Sequence, residues 1–270
     1  HTTSPTVLSM PKSYFTKRVL KYKTDKGATE YQVTGGVPQG SVLGPLLWNI
    51  MYDGILRLKL PANATIVGFA DDIALVITAS SLEQAALLAD ASIGEVKLWL
   101  MSMGLTLADH KTEAVLITSR KVEEFLTIKV GECSITTKKQ LKYLGVMIDN
   151  RLTFKAHLEY VAEKAISATS SLCMRRKVIT GVIANIILYA APIWAESMKF
   201  KTYVDKISSV YRLAALRVCC AYRTVSDDAA CVIAGMIPID LLAKERLLIY
   251  QKIYSQHDAQ ELTLNEWQAR

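Results

Sequence analysis

The sequence predicts an α+β fold in two parts, short strands with helices over residues 1–150 and helices alone over 151–270. Three observations predict it. Short β-leaning runs divided by turn signals fill the first part. Apolar stripes at steps of three and four fill the second. After Asp149-Asn150 the composition shifts from one pattern to the other.

Residues 12–34 alternate Lys12, Lys17, Arg18, Lys21, Lys23 and Lys26 with Tyr14, Phe15, Val19, Leu20 and Tyr22. Asp25-Lys26-Gly27 is a turn signal, so a basic hairpin is expected, although lysine is also common on any exposed edge strand. Gly35 to Gly40 form a loop. A helix is expected from Ser41, its N-cap, through Leu46, Leu47, Ile50 and Met51 to about Leu58. Residues 64–78 split into two apolar strands around Ala70-Asp71-Asp72. The next helix, 82–103, sets Leu82, Ala85, Ala86, Ala89, Ile93, Val96 and Leu100 on one face, and Gly104 ends it. Strands are expected at 114–118, 125–130 and 141–148.

Beyond residue 150, Phe154, Leu158, Val161, Ala165, Ala168 and Leu172 make a core-facing stripe. Further helices fit 201–221, 226–234 and 239–254. The uncharged stretch 178–195, preceded by Arg175-Arg176-Lys177, imitates a membrane span. Gly181, Asn185, Pro192 and a marginal length favour a buried helix broken near Pro192, so no membrane partner is expected. Solubility without detergent would dismiss the membrane-associated reading.

A hydrophobic share of 51% and a charged share of 21% exclude a disordered chain. The net charge of +7 and the pI near 9.1 suit a polyanion, either nucleic acid or an acidic membrane. Five cysteines (133, 173, 219, 220 and 231) lack a Cys-x-x-Cys pair, and four histidines are scattered. That pattern reads as buried free thiols in a reducing compartment and not as a disulfide frame or zinc site. No secretory signal is legible, and a chain opening on histidine is expected to be a fragment.

Gly68-Phe69-Ala70-Asp71-Asp72-Ile73-Ala74-Leu75-Val76 is the sharpest chemical feature. Two carboxylates between apolar strands are costly to bury unless a positive group compensates. A divalent metal at a hairpin tip is such a group, and two Mg²⁺ ions held by carboxylates are the general solution for nucleotidyl transfer. Gly68 and Ala70 would let a nucleic-acid backbone come close. By itself an Asp-Asp pair in a turn is common and usually only solvated. Gly36-Val37-Pro38-Gln39-Gly40-Ser41-Val42-Leu43-Gly44-Pro45 runs into a helix and offers N–H groups and a dipole to a phosphate, with the Gln39 amide in reach of a base or sugar. An ordinary loop and cap reads the same way. Lys111, in His110-Lys111-Thr112-Glu113, could protonate a leaving pyrophosphate, and Gly145 marks a bulge or a close approach in an apolar strand.

In this order, Pro-Gln-Gly-Ser, Phe-Ala-Asp-Asp, Lys-Thr-Glu and Tyr-Leu-Gly resemble motifs B to E of reverse transcriptases between about Val33 and Asp149. The resemblance implies a partial polymerase palm followed by a helical thumb and connector. It implies that Pro38, Gln39, Gly40, Ser41, Phe69 and Ala70 lie beside nucleotide and template. Asp71 would be a metal ligand with Asp72 its neighbour, Lys111 the general acid, and Tyr143, Leu144 and Gly145 the primer grip. Two Mg²⁺ ions (or Mn²⁺), an RNA template, a DNA primer at the target site and dNTPs are implied with it. Leu188-Tyr189-Ala190-Ala191-Pro192-Ile193-Trp194, Ala215-Leu216-Arg217-Val218 with Ala221 to Ser226, and Ile237 to Leu242 resemble the region after the polymerase in insect non-LTR retrotransposons, above all those inserting into ribosomal DNA. Such a protein is expected in cytoplasmic ribonucleoprotein and then in the nucleus during integration.

Two departures accompany the resemblance. Upstream of Gly36 only Asp25 and Glu30 are acidic, and neither has the setting of the motif A aspartate. Motif A, the fingers, the endonuclease and a C-terminal cysteine-histidine cluster are therefore expected to be missing from the chain, and the isolated fragment to lack polymerase activity. A noncatalytic nucleic-acid-binding remnant is the alternative. In the helical part, Lys155, His157 and Lys164 off the apolar stripe, with Arg175, Arg176 and Lys177, would as a thumb grip the template–primer backbone; a solvated polar face is the other reading of each.

Overall fold

The computed structural model describes residues 14–25, 27–120, 124–171 and 176–270, with backbone alone at 170–171 and 176–179. The chain divides into two compact units, His1–Leu107 and Ala108–Arg270. That division precedes the compositional shift at residue 150. The cause is packing: Val146 joins the same core as Phe154 and Leu158, so the late strands belong with the helices.

In the first unit the expected basic hairpin forms from β1 (Val19–Thr24) and β2 (Gly27–Gln32), with Leu20 opposite Tyr31. Both strands are exposed throughout. Helix α1 (Gly44–Leu56) begins after Leu43 rather than at Ser41. The Ser41 hydroxyl instead accepts from the Gly44 N–H at 3.1 Å, closing a separate turn ahead of the helix. The helix buries Tyr52 and Ile55, whereas Leu46 and Ile50 are 56% and 65% exposed. The aromatic face, not the aliphatic one, therefore sets its packing.

Strands β3 (Ala64–Phe69) and β4 (Asp72–Ile77) pair antiparallel, and α2 (Leu82–Ser102) follows. The Ser81 hydroxyl accepts from the Gln84 N–H and caps α2, and Gly104 leaves it at φ +71°. Its expected inner face, including Ala89, Ile93, Val96 and Leu100, is buried. Val96 and Leu100 meet Tyr52 and Ile55 in a small core, with Ile66, Ile73 and Leu75 of the hairpin packed against it.

The second unit departs from expectation at its start. Residues 114–118 make a single parallel bridge, Val115 to Lys138, instead of a strand. β5 (Thr127–Val130) pairs with an unforeseen β6 (Cys133–Thr136). The expected strand 141–148 is a hairpin, β7 (Gln140–Tyr143) and β8 (Val146–Asp149), folded at Leu144-Gly145. Among the described residues, all strands form four separate two-stranded sheets. The Asp149 carboxylate then organises the corner, accepting from the N–H groups of Arg151, Thr153 and Phe154 and from the Thr153 hydroxyl.

Helix α3 (Lys155–Ser171) carries the expected stripe inward, with Leu158, Val161 and Ala165 buried; Leu172 lies outside the described residues. α4 (Arg176–Ile187) and α5 (Ala191–Trp194) follow. The break expected near Pro192 falls at Ala190, at φ +52°, and Pro192 itself sits in the first turn of α5, where its missing N–H costs nothing. Among the described residues no single helix is long and apolar enough to cross a membrane. Ile183, Ile187, Leu188, Ala191 and Trp194 of this stretch are buried in the protein core. α6 (Lys201–Cys219), α7 (Asp227–Ala234), α8 (Ile239–Tyr250) and the unforeseen α9 (Gln256–Gln268) complete the unit. Cys133, Cys219, Cys220 and Cys231 are free thiols, but of these only Cys231 is buried as expected; Cys133 and Cys219 are half-buried and Cys220 is exposed beyond the end of α6.

Candidate active site

The β3–β4 hairpin closes with Phe69 opposite Asp72, leaving Ala70-Asp71 as a two-residue turn. Ala70 takes a φ of +53°, which hairpin turns require and alanine resists. Two side chains of α1 hold this turn from below. The Trp48 indole N–H donates to the Ala70 carbonyl at 3.1 Å, and the Tyr52 hydroxyl donates to the Asp72 carbonyl at 3.2 Å. Their rings stack, 5.5 Å apart and 22° from parallel. The backbone on both sides of Asp71 is thereby fixed to the helix that leaves the glycine-rich loop. Sequence reasoning missed both aromatics. Their signal was an i, i+4 aromatic pair just after that loop.

Gly68 completes the fit. A Cβ there would lie 2.5 Å from Tyr52 Cε1 and 3.1 Å from Leu56 Cδ2. The space that the missing side chain leaves is filled by Tyr52, so this glycine serves helix–hairpin contact and not the approach of a nucleic-acid backbone. A cleft of about 280 Å³ beside it is lined by Asn49, Tyr52, Asp53, Leu56, Gly68 and Ala70. Asp53 in that cleft pairs with Arg57 at 2.6 Å.

Asp71 and Asp72 are both exposed, as are Phe69 and Ala70. The desolvation argument for a compensating cation therefore does not apply to them; their case rests on adjacency and on the rigid turn. As hard oxygen donors they suit Mg²⁺ or Mn²⁺. Among the described residues no group of three or more histidines, cysteines, aspartates and glutamates could hold a metal. Glu30 is exposed and bonded to Lys21 at 2.7 Å.

Pro38, Gln39 and Gly40 stand exposed on the loop before α1, with Gly36 at φ +74° and Gly40 at φ +85°. The first N–H of the helix, at Gly44, is taken by Ser41, so this helix start offers less to an anion than the sequence suggested.

In the second unit, Lys111 is exposed at the end of a single 3₁₀ turn, Asp109–Lys111. Tyr143, Leu144 and Gly145 form the β7–β8 corner, with Leu144 and Gly145 at φ +46° and +84°. Both residues are left-handed, as the tightest hairpin turns demand. Gly145 is thus a turn with a close neighbour, the Tyr189 ring, and not a bulge. Beside it the Lys142 ammonium donates to the Tyr160 hydroxyl at 2.9 Å and holds that phenol below its usual range. Lys155 and Lys164 are exposed on α3. His157 is fully buried, so it has no place in a solvent-facing grip. Arg175 lies outside the described residues, and Arg176 and Lys177 open α4.

The hairpin, the loop and the order of the motifs fit the reverse transcriptase class. Residues 3–148, more than half of the chain, match the reverse transcriptase (RNA-dependent DNA polymerase) family, and the chain belongs to it. Its kin within that family are Pol polyproteins of insect non-LTR retrotransposons of the R1 type. It is 28% identical over 247 residues to the Pol polyprotein of a type-1 retrotransposable element R1 from Nasonia vitripennis, covering 84% of this chain and 72% of that protein. With the R1 Pol polyprotein of Bradysia coprophila it shares 29% over 253 residues, 88% of this chain and only 25% of the relative. A probable RNA-directed DNA polymerase from transposon BS of Drosophila melanogaster is 28% identical over 182 residues. No solved structure matches the chain.

Proposed function

We propose that this chain is part of an RNA-directed DNA polymerase that adds dNTPs to a DNA 3′-hydroxyl on an RNA template, in target-primed reverse transcription of a non-LTR element. The observation that carries the reading is the turn bearing Asp71, tied on both sides to the helix leaving the Pro38-Gln39-Gly40 loop. Such a tip keeps two carboxylates at a fixed height, which positioning catalysis needs.

In this reading Gln39 and Gly40, with Pro38, Ser41, Phe69 and Ala70, border the incoming nucleotide and template. Asp71 and Asp72 hold metal, with Asp71 the more direct ligand. Bound Mg²⁺ would supply charge neutralisation of the triphosphate. Lys111 offers a proton or a charge to the leaving pyrophosphate. Tyr143, Leu144 and Gly145 seat the primer end, and Lys155 and Lys164 meet phosphates in a salt-dependent way. A further aspartate from the upstream polyprotein completes the site, so residues 1–270 alone are inactive. Cytoplasmic ribonucleoprotein and then the nucleus are the places such a reaction requires.

Primer extension on an RNA template tests this. The polyprotein extended upstream is expected to make cDNA, and the double variant Asp71→Asn, Asp72→Asn to lose about a thousandfold or more of that yield. Intact synthesis by the double variant sinks the proposal. Robust synthesis by 1–270 alone sinks its claim of incompleteness. The exposure of both carboxylates favours, as a second reading, a noncatalytic nucleic-acid-binding remnant; there the substitutions would tighten RNA binding and no extended form would polymerise.

A further inference from the structure

The segment 188–194 reaches the β7–β8 turn directly. The Tyr189 hydroxyl donates to the Leu144 carbonyl at 2.9 Å, across 45 positions of sequence. Its ring lies against Gly145, where an added Cβ would meet Tyr189 Cε1 at 3.2 Å. One side chain therefore contacts both residues of a turn whose backbone is left-handed at two successive positions, only one of them glycine. Such a turn persists only where neighbours hold it.

Tyr189 is itself anchored. Trp194, fully buried, donates its indole N–H to the Tyr189 carbonyl at 2.8 Å. The chain reverses at Ala190, φ +52°, which turns Tyr189 away from the core while its carbonyl stays with Trp194. His157, also fully buried, packs beside Trp194 with ring centroids 6.2 Å apart. Its Nδ1 accepts from the Met147 N–H on β8 at 3.4 Å. The hairpin is thus tied to one core at two places: β8 through His157, and the turn through Tyr189. Tyr189 is 53% exposed, so burial does not explain a tyrosine there. Contact with the turn does.

We infer that Tyr189 is a positioning residue for the Leu144-Gly145 turn, by which the helical segment after the polymerase motifs sets the surface that receives the primer end. The inference rests on the assignment of that turn to the primer. Tyr189→Phe removes one hydroxyl and keeps the ring, so the fold survives.

The test uses ¹⁵N-labelled chain 1–270 and needs no ligand for its first arm. In Tyr189→Phe the Leu144 and Gly145 amide resonances are expected to shift and amide exchange in 143–146 to quicken about tenfold, with α3 protection unchanged. The second arm measures binding to a recessed DNA primer on an RNA template and to single-stranded RNA. Affinity for the recessed duplex is expected to fall about three- to tenfold, with the single strand unaffected, a split that general loosening would not produce. Unmoved turn resonances overturn the inference. A turn that loosens with unchanged duplex affinity keeps Tyr189 as its clamp and removes the primer assignment instead.

Discussion

In the helical unit Trp194, Ile183, Ile187 and Ile207 are wholly buried, whereas in the first unit Leu46, Ile50 and Phe69 are each more than half exposed. The contrast is not one of composition, since both units are rich in apolar residues. In the second unit the stripes of α3, α4 and α6 converge on one core. In the first, Val67, Phe69 and Val76 share the outer face of the β3–β4 hairpin, and only its inner face packs on α1 and α2. The helical unit is therefore held mainly by burial. The acidic hairpin depends on a few named contacts, chiefly those of Trp48 and Tyr52.

The contrast would break first at Trp194. Trp194→Ala is expected to cost about 3–5 kcal/mol, read as a lowered urea midpoint and lost amide protection along α3. A loss below about 1 kcal/mol would mean that burial is not what holds this unit. Gly68→Ala comes next, at about 1–3 kcal/mol, because its Cβ meets the Tyr52 ring; hydrogen exchange should locate the damage in residues 64–77. Tyr52→Phe removes the bond to the Asp72 carbonyl and should cost about 0.5–1.5 kcal/mol. Leu46→Ala, on the exposed face of α1, should stay within about 0.5 kcal/mol.

A pH series sharpens the same comparison. Burial lowers the His157 pKa below its ordinary 6.5, and the Tyr189 carbonyl offsets part of this. The unfolded chain takes up a proton near 6.5 while the folded ring still resists it. The contribution to stability is thus flat above neutrality and falls as pH drops below 6.5, until the folded ring also titrates. The urea midpoint should drop between pH 7.5 and 5.5, and less steeply in His157→Asn. An equal slope in both would clear His157 of the effect.

Periodicity made the long helices legible: the stripe from Phe154 to Ala165, the helix expected at 82–103 and its end at Gly104 follow from spacing and from the glycine. Where it failed, a different interaction decided the outcome. The aliphatic stripe of α1 lost to Trp48 and Tyr52, because two backbone carbonyls at a strained turn outweigh periodicity in orienting a short helix. The run 141–148 read as one strand because its apolar residues are continuous, and only the left-handed pair Leu144-Gly145 divides it. α9 escaped notice because its sequence is polar, with little more than Ala259 and Thr263 buried. The acidic pair itself was plain in the sequence. Its exposure was not, since exposure depends on which face of a hairpin finds a cover.

Tyr52 and position 68 behave as a lock and its key. Any residue larger than glycine at 68 demands something smaller at 52, and a smaller residue at 52 leaves the Asp72 carbonyl without its donor. In a library varying both positions at once, survivors should be correlated pairs, and those that retain function should keep the phenol. A change three residues before an aspartate would in this way be felt as a change in the aspartate's address.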